Sequence, residues 1–447
     1  MRQFKVVLGG LLVLSVCLTT IHALQQASGT ATLFEGARLI TGDGSAPIEN
    51  AAFVVVNNRF TQVGKKGQIQ APVGVVRVDL TGKTVIPGII DAHSHLGHAV
   101  IKTGKIAKDT YSKENLIDHL RRLAYYGIAA TQSMGIDRGE AAYELRANPV
   151  PGAALIRTAG RGIALPNQGP GAEYWKDAAY GVTTEAEARK AVQELAAKKV
   201  DLVKIWVDDR NGTVMKLPPA LYRPIIDEAH KQNLRVVAHI FNLADAKDLL
   251  RSGIDGFAHG VRDKDIDDEF LKLLKDHPNV SWTPNLPDRP TPTLEDAAWL
   301  AETVPPVTIQ QMRDSIAKRT PEATKTAQAF FDLQARNLKK LNSAGARIGF
   351  GTDSGTSVGW TAHAELADMV TAGMTPSQVL VAATKTSAGI LKLDDLGMIA
   401  AGKSADFVVL DANPLDDIKN TRRISKVFIR GKEVDRAAMR REWGSGS

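Results

Sequence analysis

Six side chains in this sequence have the types and spacing to gather metal ions. His93 and His95 stand two apart in "DAHSH" (91–95), directly after the apolar run "VIPGII" (85–90). Residues two apart on a strand point to the same side, so both imidazoles face one way. His239 sits near the end of "RVVAHIF" and His259 near the end of "IDGFAHG", 20 residues later, about one strand–helix–strand repeat. Lys204 lies in mid-strand among Leu202, Val203, Ile205 and Trp206, and Asp353 ends the run "RIGFGTD". Imidazoles and carboxylates are ligands for divalent transition metals. A lysine in an apolar strand has its charged form disfavoured. Cys17 is the sole cysteine and lies in a segment that reads as a removable leader, so the mature chain has neither disulfide nor thiolate ligand.

These residues need a frame that brings strand ends together. From about 85 to 395 strands alternate with helices, with candidate strands at 84–92, 127–135, 153–160, 200–208, 235–241, 254–260, 279–285 and 346–353. Eight such repeats predict an α/β fold, a (β/α)8 TIM-like barrel over 85–399. The active site of such a barrel lies at the C-terminal ends of its strands, where the six residues fall. "NLADAKDLLRSG" (242–253) reads as a helix capped by Asn242. "TPSQVLVAAT" (375–384) opens with a capping box of Thr375 and Gln378 and has Pro376 at its first turn. Short β-branched runs at 24–84 and strand-like runs at 400–437 predict one small β-sandwich built from both chain ends. The Pro- and Thr-rich stretch 286–325 is a candidate lid, and 438–447 reads as a tail.

Residues 1–23 have the order of a secretory signal peptide: Arg2 and Lys5, an apolar run from Val6 to Leu18, and a small residue at Ala23. The run is short for a membrane span, which needs about 20 apolar residues, and Val16 is too large for a lipoprotein box at Cys17. The expectation is a periplasmic or secreted protein with no membrane contact after cleavage. The net charge of +7 is scattered without a Lys/Arg block, which speaks for solubility and against nucleic-acid binding. Oligomeric state is left open, a homo-oligomer being allowed.

Taken singly, each residue has a plainer reading. A histidine at a strand end can be a satisfied core residue, Lys204 can snorkel, and Asp353 can cap the next helix. Their joint placement at strand ends argues for a task. The pattern resembles the amidohydrolase superfamily over essentially the whole mature chain, in "GIIDAHSHLG", "VDLVKIWVD", "VVAHIF", "FAHG" and "GFGTDSG". "HAELADMVTAGMTPSQVLVAATKTSAGILKL" with "LGMIAAGKSADFVVLDANPL" is similar to its imidazolonepropionase-like branch, which includes Xaa-Pro dipeptidases. The resemblance implies two divalent metal ions, zinc by expectation. His93, His95 and Asp353 would hold one, His239 and His259 the other, and a carboxylated Lys204, formed with carbon dioxide, would bridge them. A bridging hydroxide would attack the scissile carbonyl, with Asp353 as catalytic proton carrier.

The implied substrates are small peptides or N-acyl amino acids with a free carboxylate on the leaving side. His98, three past His95, either meets substrate or has no task. His363 is a candidate for substrate contact or for support behind the ligands. Arg161 and Arg262 either bind a substrate carboxylate or lie on the surface. Phe241 stands where dipeptidases of the branch often carry Tyr, and "GIAATQSMG" departs from the usual strand-2 pattern; both weaken a substrate assignment by analogy. Lactones, cyclic amides and phosphotriesters are alternative substrates for the same chemistry, and a non-catalytic binding barrel is the remaining rival. "GMIAAGKS" (397–404) satisfies a phosphate-loop pattern, but a turn precedes it and a strand follows where a helix is required, so nucleotide binding is not expected.

Overall fold

The structure is a computed structural model that describes residues 31–171, 175–210, 212–286, 297–355 and 357–444. The predicted leader, 1–23, lies outside the described residues. Among these residues no helix is long and apolar enough to cross a membrane.

Both chain ends contribute to one eight-stranded sheet. Its order is Lys432–Glu433, Ile424–Ile429, Phe407–Leu410, Thr84–Pro87, Thr32–Leu39, Ile48–Val56 and Arg59–Lys65, with Val76–Asp79 also paired to Thr32–Leu39. Its buried face is aromatic: Phe34 stacks on Phe53 at 5.0 Å and Phe407 on Phe428 at 4.4 Å. Such pairs add to their area burial. Gly36, at φ +96, marks a register break between Glu35 and Ala37; a Cβ there would lie 2.5 Å from Thr81 Oγ1.

Apart from a short antiparallel pair, Ala99–Val100 with Lys105–Ile106, the remaining strands are parallel, in a three-stranded sheet and a seven-stranded sheet. The first holds Ile89–Ser94, Ile128–Ser133 and Leu155–Thr158. The second runs Tyr180–Gly181, Ile163–Ala164, Val203–Val207, Val236–Ile240, Gly256–Ala258, Ser281–Thr283 and Arg347–Ile348. Two backbone seams join them. Ala92 N–H donates to Phe350 O (2.8 Å) and Asp353 N–H to His93 O (2.8 Å), while Asp201 N–H donates to Thr158 O (2.9 Å). Parallel strands buried on both faces read as continuous apolar runs, which is how most of them stand in the sequence.

Several expectations change. The predicted strand 84–92 is two strands in two sheets. Thr84–Pro87 runs antiparallel to Phe407–Leu410, and Ile89–Ser94 runs parallel to Ile128–Ser133. Gly88 is the joint. Its N–H donates to Asp406 O (2.9 Å), and a Cβ there would lie 2.7 Å from Ala129 Cβ. The unbroken apolar run hid this change of sheet. The short strands Ile163–Ala164 and Tyr180–Gly181 were not anticipated. The predicted eighth strand, 346–353, keeps a ladder only at Arg347–Ile348. Residues 438–444 are not a free tail: helix Arg436–Gly444 docks through Trp443, whose Nε1–H donates to Asp118 Oδ1 (2.9 Å).

The Thr375 capping box is formed, with Pro376 in the first turn. Asn242 occupies the N-cap of Leu243–Arg251 without a side-chain cap; Asp263 Oδ1 accepts from Leu243 N–H instead (2.8 Å). Of the candidate lid, 287–296 lies outside the described residues. The part after it is fastened to helix Lys113–Tyr125, where Arg122 Nη1 donates to Thr303 O (2.7 Å).

Candidate metal centre

Strand ends carry the six residues to one place. His93 Nε2 and His95 Nε2 are 3.3 Å apart, and each is close to Asp353 Oδ1, at 3.2 and 3.1 Å. His259 Nε2 is 3.9 Å from Asp353 Oδ2, and its ring centroid lies 5.0 Å from that of His93 and 4.3 Å from that of His239. Ligand atoms of His93, His259 and Asp353 all fall within 4.8 Å of one another. Lys204 is fully buried, and its Nζ has no hydrogen-bond partner. His259 and Asp353 hold left-handed backbone, at φ 72 and 55. A histidine there is strained, and such strain collects at functional sites.

Electrostatics favour neutral nitrogens around an ionised carboxylate. Burial pulls Lys204 down to about 7, against the attraction of Asp353. His93 falls to about 3 by burial and the neighbouring Lys204 charge, and His239 to about 4, again by burial first. Burial and Arg262 hold His259 well below the usual imidazole range. Burial pushes Asp353 up, but His259 and His93 outweigh it and keep the carboxyl well below its usual range. Imidazoles held neutral, an ionised carboxylate and a buried amine that is partly neutral near pH 7 form a donor set suited to divalent ions. The orphaned Nζ of Lys204 is the atom that a carbamate would extend. The residues therefore fit the implied pair of metals.

The surrounding residues hold this set. Asp91 ties the first parallel strand to residue 352: its Oδ1 accepts from His93 N–H and Thr352 N–H (3.1 Å each), and its Oδ2 from Thr352 Oγ1 (2.7 Å). Asp208 Oδ2 lies 3.0 Å from His239 Nε2. Trp206 lies over Gly135 and Gly162, where any Cβ would collide with its ring, and Lys204 Nζ is 5.4 Å from that ring's centroid. Trp175 faces His95 at 5.6 Å and His98 at 5.7 Å.

The substrate candidates fare differently. His98 is buried, 4.9 Å from the Tyr111 ring, with Nε2–H placed to donate to Ile136 O (3.2 Å). Its Nδ1 is without a partner, so it stays a candidate at the rim. Arg262 has a buried Nε without a partner and feels both Asp353 and Asp208. Phe241 is half-buried beside Phe330 at 6.4 Å. Arg161 does not fit the role offered to it. Its Nε donates to Ala178 O (2.7 Å) and its Nη2 to Asp177 O and Ala179 O (3.2 and 3.0 Å), while its guanidinium lies 4.3 Å over Tyr180. It clamps a loop. His363 is also structural: Nδ1 lies 3.0 Å from Thr421 Oγ1 and Nε2 2.9 Å from Tyr126 O, so both ring nitrogens are engaged away from substrate.

Sequence reasoning missed Asn285. It is 4% exposed, at φ 44, and neither its Oδ1 nor its Nδ2 has a partner. It lies two residues past the strand Ser281–Thr283. A Cβ on Gly351 would lie 3.0 Å from Asn285 Nδ2 and 2.7 Å from His93 Cβ. The signal was present: the predicted strand 279–285 ends at this polar residue.

Known proteins carry the same arrangement of chain. An ochratoxinase of Aspergillus niger is 25% identical, the match covering 87% of this chain and 82% of that protein. An imidazolonepropionase of Streptomyces avermitilis is 25% identical, covering 88% of this chain and 89% of the relative. The crystal structure of a Xaa-Pro dipeptidase has the same fold, with a TM-score of 0.70 at 22% identity, covering 90% of this chain and 99% of that one. The profile of the amidohydrolase family matches residues 84–434, the span that holds all six candidate ligands and both parallel sheets, and the chain belongs to that family as an enzyme hydrolysing carbon–nitrogen bonds.

Proposed function

We propose that this protein is an exported metal-dependent amidohydrolase cleaving small peptides or N-acyl amino acids. Its fold reads as a closed (β/α)8 barrel from Gly88 to about 399, with a small β-domain formed from residues before Gly88 and after 400. One observation carries the reading: Lys204 Nζ is fully buried without a partner, beside His93, His239 and Asp353. An amine with its pKa pulled to about 7 is partly neutral near neutral pH and can add carbon dioxide, giving an anion with two oxygens. His93, His95 and Asp353 would hold one divalent ion, His239 and His259 the other, and the carbamate of Lys204 both. Two such ions polarise a carbonyl and supply hydroxide near neutral pH.

The chain's own groups do the rest. Asp353, held ionised by His259 and His93, takes the proton of the attacking water and hands it to the leaving amine. Asn285 offers an unpartnered amide beside His93, suited to a substrate oxygen or N–H. Arg262 suits a leaving-side carboxylate. Trp175 packs against His95 and His98, and Tyr111 against His98, giving the rim an aromatic lining. The dipeptidase among the similar structures supports amide substrates.

Lys204→Ala is expected to lose bound metal and at least about 1000-fold in kcat/KM, a loss of transition-state stabilisation near 4 kcal/mol. Metal analysis and amine release from a library of dipeptides and N-acyl amino acids check both. A variant with two metals and full turnover would overturn the carbamate bridge. Silence of the metal-loaded wild type across the library would overturn amide substrates. Terminal sequencing of secreted protein, expected to start near residue 24, checks export.

A further inference from the structure

We propose that Asp208 is the positioning residue that sets the tautomer of His239, and through it the hold on the second metal ion. The inference rests on the two-metal reading above and assigns a task to a carboxylate outside the ligand set.

Strands Val203–Val207 and Val236–Ile240 pair with Trp206 opposite His239 and Val207 opposite Ile240. Asp208, one residue beyond the first strand, is thereby set against the His239 ring. Its carboxylate is fixed before it meets the histidine. Oδ1 accepts the backbone N–H of Arg210 (2.8 Å), in a turn that holds Arg210 at φ 51. Oδ2 is left to face His239 Nε2 at 3.0 Å, in a partly buried setting. An ionised carboxylate only accepts hydrogen bonds, so Nε2 must carry the proton. A neutral imidazole then keeps its lone pair on Nδ1, the nitrogen free to serve as a ligand. A carboxylate behind a ligating imidazole also raises its basicity, and loss of such a partner typically weakens metal binding by about 10–100-fold.

Two variants separate tautomer control from packing. Asp208→Ala removes the acceptor and leaves the ring free to choose. Asp208→Asn keeps shape but reverses the hydrogen bond. The Arg210 N–H requires an oxygen at the Oδ1 position, so the NH2 group turns toward Nε2. Nε2 must then accept, and the proton moves to Nδ1, which can no longer ligate.

The experiment loads each full-length protein with zinc in bicarbonate, dialyses it against chelators of graded strength, and measures bound zinc. Wild type is expected to hold two ions. Asp208→Ala is expected to release one of them about 10–100-fold more readily, and the isosteric Asp208→Asn at least as readily. Nitrogen-15 NMR of histidine-labelled, zinc-loaded wild type is expected to show a proton on His239 Nε2. Asp208→Asn retaining both ions like the wild type would overturn the inference, since a packing role predicts that result. The Asn variant keeps the Arg210 contact and preserves the test if the Ala variant fails to fold. A wild type holding fewer than two ions would instead overturn the two-metal reading, and this inference with it.

Discussion

Asn285 shows how a single side chain can be costly to the fold and useful to the site. A buried amide with no partner loses its hydration without recompense, and such groups are rare in native proteins. Asn285→Ala is therefore expected to lower kcat/KM by about 2–10-fold, the worth of one neutral hydrogen bond. Bound metal and melting temperature should stay close to wild type, because no hydrogen bond within the protein is lost. Kinetics on the best library substrate together with a thermal melt check this; unchanged kcat/KM would remove Asn285 from the site. The candidate metal ligands were legible in the sequence because each is a polar residue within or closing an apolar strand. What else a side chain meets was not legible. His363 has the right type and lies in the right helix, yet its partners are Tyr126 and Thr421, distant along the chain. Arg161 likewise meets carbonyls at 177–179 that only the folded loop presents.

The helix Lys113–Tyr125 works as a template for the loop that follows the first two histidines. His119 Nδ1 accepts from Gly97 N–H (3.1 Å), its Nε2–H donates to Ala99 O (2.7 Å), and Asn115 Nδ2 donates to Gly97 O and Ala99 O (2.8 and 2.9 Å). This arrangement needs a neutral ring, and burial lowers the His119 pKa to about 4. A folded value below the unfolded one, near 6.5, favours the neutral form in the native state. Its stabilisation is complete above about pH 6.5 and is lost as pH falls toward 4, by at most about 3 kcal/mol. The difference in melting temperature between pH 7.5 and 4.5 should therefore be larger in wild type than in His119→Gln. Equal acid slopes would refute the assignment. Element boundaries were readable where local chemistry decides them, as at Thr375 with Gln378. They were not where a distant residue substitutes, as Asp263 does for the Asn242 cap, or where an apolar run crosses from one sheet to another at Gly88.

At the scale of the molecule, the site and the outer sheet are coupled through one residue. Thr84–Pro87 lies between Thr32–Leu39 and Phe407–Leu410, and only Gly88 separates it from the strand that carries His93. Removing residues 400–447 deletes a neighbour of that strand and exposes the aromatic face around Phe34 and Phe53. The shortened chain is expected to be insoluble or to melt without a cooperative transition; soluble, metal-loaded 1–399 with a sharp melt would contradict the coupling. That both ends return to strand character could be read from the sequence, but not which strand each end would join, because register depends on partners far along the chain.

The pairing of Pro87 with Phe407 spans about 320 residues. A ribosome working at roughly 5–20 residues per second needs about 15–60 s to make that stretch. Throughout that interval the strand Thr84–Pro87, just ahead of His93 and His95, lacks one of its two neighbours. Completion of this fold thus comes late in synthesis, and the chain is open to chaperones until its last tenth has emerged.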